Sequence, residues 1–176
     1  MPIVERTARN AFRRFRTHVR ALVQATLPVP PHIRLDVDIR ENTGKLEFVK
    51  GDGVPAALPL DTRDHGILYL TLTQILTAQR ELTKYRLRTR EYAYRLLEQD
   101  DPRANAVVRW EYDSEAPKHG WCRHHVQFTV GTRLGPAVLD LNRVHTPTGW
   151  VTIEELIRFL IHELGVTSPA RIGQPS

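Results

Sequence analysis

The chain has 176 residues, 41% hydrophobic and 26% charged, with a formal net charge of +5, enough for one domain with a real core. No apolar run approaches the roughly 18 residues that span a bilayer, which argues against a helical integral membrane protein and leaves no membrane partner expected. The single cysteine, Cys122, excludes an internal disulfide and every zinc motif built on paired cysteines, and it fits a reducing cytoplasm.

The charge is concentrated at the start. Residues 1–20 carry Arg6, Arg9, Arg13, Arg14, Arg16 and Arg20 against one acid, Glu5, and the remaining residues balance. Apolar residues recur there at Val4, Ala8, Ala11, Phe12, Phe15, Val19, Leu22 and Val23. Steps of three and four predict an amphipathic helix over 3–26, ended before Pro28, with most arginines off the apolar stripe. Three readings are open for it. The arginines could be solvated on a surface helix, or could track phosphates or an acidic partner. A transit peptide or membrane-surface helix is the third reading. It is disfavoured by the few hydroxyl residues and by the short "LPVPP" hinge into the rest of the fold.

Next, "HIRLDVDIRE" alternates Ile33, Leu35, Val37 and Ile39 with Arg34, Asp36, Asp38 and Arg40, a half-buried strand. With "KLEFVKGDG" it reads as a hairpin over 33–49, whose turn chemistry comes from Asn42 and Gly44. Asp36 and Asp38 could hold a metal, but on an alternating strand they read as outward charges. "DGVPAALPLDTRDHG" reads as a loop. "GILYLTLTQILTAQ" reads as strand in its first half, while its second half could be helical. "KYRLRTREYAYRLL", "AVVRWEYD" and "WCRHHVQFTV" are successive strands, and "AVLDLNRVH" adds one more. Thr152 and Glu155 form a capping-box pair ahead of the apolar stripe Ile153, Leu156, Ile157, Leu160, Ile161 and Leu164, and Gly165 ends that helix. The expected architecture is one α+β domain over 1–166. It has an antiparallel meander of five or six strands, one face covered by an N-terminal and a C-terminal helix. Residues 167–176 read as a disordered tail.

The chemistry gathers in "VVRWEYDSEAPKHGWCRHHVQF", where a hairpin would bring Arg109 and Asp113 near His124 and His125. Adjacent histidines on a strand point to opposite faces, so only one joins a given site. Imidazole moves protons near neutral pH. Arg109 and Arg95 could hold a phosphate, and Tyr92 or Tyr94 could stack a base or pass a proton. That set suffices for phosphodiester cleavage through an RNA 2′-hydroxyl with no metal or cofactor. It equally suits plain binding, or a core histidine beside a solvated one. Metal binding by Asp113, His119 and His124 or His125 is a further option without diagnostic spacing. No Gly-rich phosphate loop, Gly-x-Ser-x-Gly or His-Glu-x-x-His occurs.

The order "YAYRLLEQDD…VVRWEYD…KHGWCRHHVQF", followed by a Pro-Gly turn and a terminal apolar helix, resembles the TumE-like toxins of bacterial toxin–antitoxin modules over residues 85–165. The matching residues are Tyr92 and Tyr94, then Arg109, Trp110 and Asp113, then His124 and His125. The family pattern has a His-x-His spacing where this chain has adjacent histidines and Gln127, and this chain carries the insertion "GDGVPAALPLDTRDHG". The resemblance implies a growth-inhibiting toxin paired with a helix-turn-helix antitoxin and leaves the reaction open. The expected function is therefore a cytoplasmic toxin-like protein acting on nucleic acid, RNA foremost. His124 or His125 would transfer protons with Arg109, Tyr94 and Asp113 beside them, and Arg6, Arg9, Arg13, Arg16, Arg20 and Arg95 would hold the nucleic acid. The alternative is a non-catalytic subunit that binds nucleic acid or protein within an assembly. The two differ in whether His, Arg and Tyr share one cleft with an exposed histidine.

Overall fold

The computed structural model describes residues 3–27, 31–119, 122–129, 131–134, 137–140 and 146–166, leaving aside the side chains of 117, 119, 131–134, 137–140 and 147. The expected tail over 167–176 lies outside the described residues.

Two residues, β1 (Val4–Glu5), precede helix α1 (Ala8–Thr26). The helix therefore starts later than the apolar periodicity suggests. Thr7 caps it, its hydroxyl accepting from Asn10 N at 3.2 Å, and β1 pairs with β6 at Arg86 and Tyr85. Then come β2 (His32–Asp38) and β3 (Thr43–Val49), the expected hairpin. Only Asn42 has the left-handed backbone of that turn (φ 51°). Gly44 does a different job: a Cβ there would stand 2.8 Å from Phe12 Cε1, so the glycine lets α1 lie close on the sheet.

The segment read as a loop contains a strand, β4 (Leu58–Thr62), burying Leu58, Leu60 and Thr62 and exposing Pro59 and Asp61. Proline survives there because β4 pairs on one side only, with the start of β5 (Gly66–Glu81). β5 is a strand throughout, including the half that could have been helical. β3 pairs with its later part, at Thr73–Thr77, and β6 (Lys84–Leu97) pairs with it from Tyr69 to Glu81. Partners on both sides override the helical reading.

The meander continues through β7 (Ala106–Asp113), a short 3-10 turn (Ala116–His119) and β8 (His124–Phe128). β9 (Gly131–Leu134) and β10 (Ala137–Asp140) form a separate antiparallel pair, and β11 (Thr146–Pro147) closes on β8. Among the described residues, one antiparallel sheet holds nine strands, more than the five or six expected, with the main path β11-β8-β7-β6-β5-β3-β2. Helix α2 (Ile153–His162) follows, with the expected capping box; Gly165 lies beyond it at φ 68°. No helix among the described residues is long and apolar enough to cross a membrane.

One core joins the layers. Val19 and Val23 of α1 and Ile153, Leu156, Ile157 and Leu160 of α2 pack with Leu46, Leu72, Tyr94, Leu96, Val108 and Val126 of the sheet. Cross-strand register puts those strand residues in facing rows, such as Leu72–Tyr94–Trp110–Val126. Both helices thus cover one face. The residues alternating with these rows form the opposite face.

Candidate functional site

The sheet divides the residues expected to work together. Register places Tyr92, Tyr112 and His124 in one cross-strand row, and Tyr94, Trp110 and Val126 in the next, all on the helix face. Arg95, Arg109 and Gln127 share a row on the opposite face, as do Ala93, Glu111 and His125. His124 is therefore separated from Arg109, Arg95 and Asp113 by the sheet itself.

On the helix face the rings pack against each other. Tyr92 stacks on Tyr94 at 4.6 Å, Tyr112 stacks on His124 at 4.5 Å, and Trp150 meets Tyr112 at 4.8 Å. The Tyr92 hydroxyl accepts from Val151 N at 3.0 Å, which fastens the chain leading into α2. Tyr94 is fully buried and its hydroxyl has no partner among the described residues; burial pushes that phenol far above its ordinary range. It can neither stack a base nor pass a proton to one. His124 is half-buried, and its Nδ1 has no partner among the described residues. Burial first, then Arg123 and His125, hold its pKa below the ordinary imidazole value. These aromatic residues build the seat of α2.

On the opposite face His125 is buried. Its Nδ1 contacts Cys122 O and its Nε2 contacts Glu111 Oε2, both at 3.1 Å. Both partners are acceptors, so the ring has no free nitrogen with which to take a substrate proton. Arg109 donates through Nε to Gln127 Oε1 and lies 3.5 Å from Glu111. Arg95 donates to Pro102 O at 2.9 Å and to Ala104 O, closing the β6–β7 turn, so its guanidinium is committed to backbone and not to phosphate. Asp113 Oδ1 accepts from Glu115 N at 2.7 Å, an Asx-type turn. The depression here, about 270 Å³, is lined by Glu91, Glu111 and Asp113 beside His125. Three carboxylates repel a phosphate backbone. Among the described residues no three His, Cys, Asp or Glu side chains are grouped as a metal requires, and the side chain of His119 lies outside them. Asp36 and Asp38 likewise find local partners: Asp36 pairs with Arg34 at 3.1 Å, and Asp38 accepts from Arg40 N at 2.8 Å.

The basic segment is different. Arg9, Arg13, Arg16 and Arg20 repeat in steps of four, three and four and fall on one exposed row of α1, with Arg6 just before the cap. Arg14 lies off this row and pairs with Glu5 at 2.8 Å. Arg13 donates to Asn10 Oδ1 at 3.2 Å. Among the described residues no carboxylate lies within ion-pair distance of Arg6, Arg9, Arg16 or Arg20. Where the row passes β2, Arg16, Arg20 and Gln24 line a groove of about 340 Å³ with residues 31–33, and among the described residues no acid lines it.

Two residues that matter here carried weak sequence signals. Glu111 sits between Arg109 and Asp113 and partners the buried histidine. Gln74 interrupts the row Leu70, Leu72, Leu76, Ala78 on the helix face of β5, and that break in alternation is its only signature. Comparison of the chain with protein-family models, with curated proteins and with solved structures finds no match.

Proposed function

We propose that this protein is a nucleic-acid-binding module that contacts phosphate through the arginine row of α1, without cleaving its ligand. The unpaired row carries this reading. Like charges three and four residues apart repel, and cations near a helix N-terminus oppose its dipole; α1 has no acid in its first turn to offset this. A row kept at that cost suits a polyanion. From Arg9 to Arg20 the row spans about 16 Å at 1.5 Å per residue, with Arg6 beyond it, which covers several successive phosphates. Arg16 and Arg20 of the row also line the groove beside β2, where an anion could sit between the helix and the strand.

Cleavage has less support. It needs histidine, arginine and tyrosine in one cleft, whereas the sheet stands between His124 and Arg109, and the acceptors around His125 occupy both ring nitrogens. A place in a toxin–antitoxin module, which the TumE-like resemblance implies, would rest on sequestering RNA. The test is a salt titration of labelled single-stranded RNA by wild type and by a variant with Arg9, Arg13, Arg16 and Arg20 changed to alanine. Each arginine–phosphate pairing removed should flatten the slope of log affinity against log salt by about 0.7 on a single strand, so by close to 3 in all. Alanine favours the helix and the buried stripe is untouched, so the circular dichroism spectrum should be unchanged. Equal slope and affinity for the two proteins would refute the reading and leave an acidic protein surface as the partner of the row.

A further inference from the structure

The hairpin that joins β5 to β6 ends in a two-residue loop, Leu82 and Thr83, between the paired Glu81 and Lys84. Leu82 has φ 54°, the left-handed region where a bulky side chain is strained and glycine or asparagine is the usual occupant. The β2–β3 turn meets the same demand with Asn42 at φ 51°. Leu82 is also 94% exposed. The leucine costs the fold backbone strain and returns almost no packing, which points to a partner outside the chain.

The surroundings of Leu82 are basic. Arg80 and Lys84 are exposed and flank the loop from opposite faces of the hairpin. Arg80 Nε donates to Leu82 O at 3.4 Å, and among the described residues no carboxylate lies within ion-pair distance of Arg80 or Lys84. Behind them Arg86 and Arg88 share one acid, Glu81, at 3.0 and 3.3 Å. Register ties this tip to the arginine row. Antiparallel β1 pairs Val4 with Arg86 and Glu5 with Tyr85, so the chain runs toward the hairpin's end and enters the row through Arg6.

We propose that Leu82 is a wedge that enters between adjacent base pairs of duplex DNA, with Arg80, Lys84 and Arg6 on the flanking phosphates. This rests on the reading of the row as a phosphate contact and adds the class of nucleic acid. Apolar side chains of this kind part base steps while basic and polar residues hold the duplex. A two-stranded ribbon fits a groove of B-form DNA, whereas A-form RNA closes its major groove to side chains. A lone leucine ringed by cations offers a bilayer little apolar area.

The experiment titrates the intact chain with end-labelled duplex DNA, fully paired or carrying 2-aminopurine beside a single mismatch. It follows anisotropy and the 2-aminopurine fluorescence, which rises when the base unstacks. Wild type should raise that fluorescence and bind the mismatched duplex about tenfold more tightly than the paired one, because a mismatch lowers the cost of unstacking. Leu82→Asn suits the left-handed turn, so its urea midpoint should be unchanged or higher. It should keep the salt dependence, bind the mismatched duplex about tenfold more weakly than wild type, and leave the fluorescence at its level in free DNA. A folded Leu82→Asn protein that binds and unstacks like wild type would overturn the wedge alone, with the salt slope still reporting on the row. Binding of single-stranded RNA without binding of duplex DNA would do the same. A wild type that binds neither would overturn the row reading as well. A lower urea midpoint for Leu82→Asn would show that the leucine serves the fold. Leu82-dependent binding to phosphatidylserine–phosphatidylcholine vesicles, with no unstacking of DNA, would assign the tip to a membrane surface instead.

Discussion

Replacing Gln74 with methionine should make the protein more stable. Gln74 is 5% exposed with its carbonyl oxygen unpartnered, so the substitution removes a desolvation cost of about 1–3 kcal/mol. It also removes the Nε2 bond to Thr89 Oγ1, which costs about 0.5–1.5 kcal/mol. Thr89 is only partly buried, so its hydroxyl can turn to water. Methionine retains the unbranched stem and adapts to an irregular space, which keeps the packing cost low. The balance is a gain of about 1 kcal/mol. For a chain of this size that is a rise in Tm of about 2–4 °C. In urea the midpoint should rise with the slope unchanged, which separates a stability effect from a change in the unfolded state. A midpoint that stays put or falls would show that the Gln74 carbonyl is satisfied in solution.

Other outcomes follow from the same geometry. Gly44→Ala should destabilise by about 1–3 kcal/mol, read as a lower urea midpoint, because its new methyl would lie 2.8 Å from Phe12 Cε1. Tyr94→Phe should leave the urea midpoint unchanged or slightly raised, since the hydroxyl it removes is buried without a partner. His124 has a folded-state pKa below its unfolded value. Its stabilising effect is therefore complete above about pH 6.5 and fades as the pH falls below that, where the unfolded chain takes up the proton first. His124→Phe keeps a ring against Tyr112 and should lose less stability than wild type between about pH 7.5 and 5.5 in paired urea melts; identical losses would contradict the assignment.

The amino-acid sequence by itself determined the elements whose signals are local. The apolar stripe and Pro28 mark α1, the alternation of Ile33, Leu35 and Val37 marks β2, and Thr152 with Glu155 marks the start of α2, because caps and periodicity act within a turn or a strand. It also showed the concentration of arginine before residue 21. What it left open was non-local. β4 carries two prolines' worth of loop signal around a short alternation and exists because β5 offers it an edge. The second half of β5 is a strand because β3 and β6 flank it. Side-chain type placed His124, His125, Arg109 and Tyr94 in one candidate site, but the direction of each is set by the pleat and the register of three strands. Those put two on each side of the sheet. Which arginines lack an acid, and which buried carbonyl lacks a donor, depends on neighbours distant in sequence, so only the tertiary structure decides it.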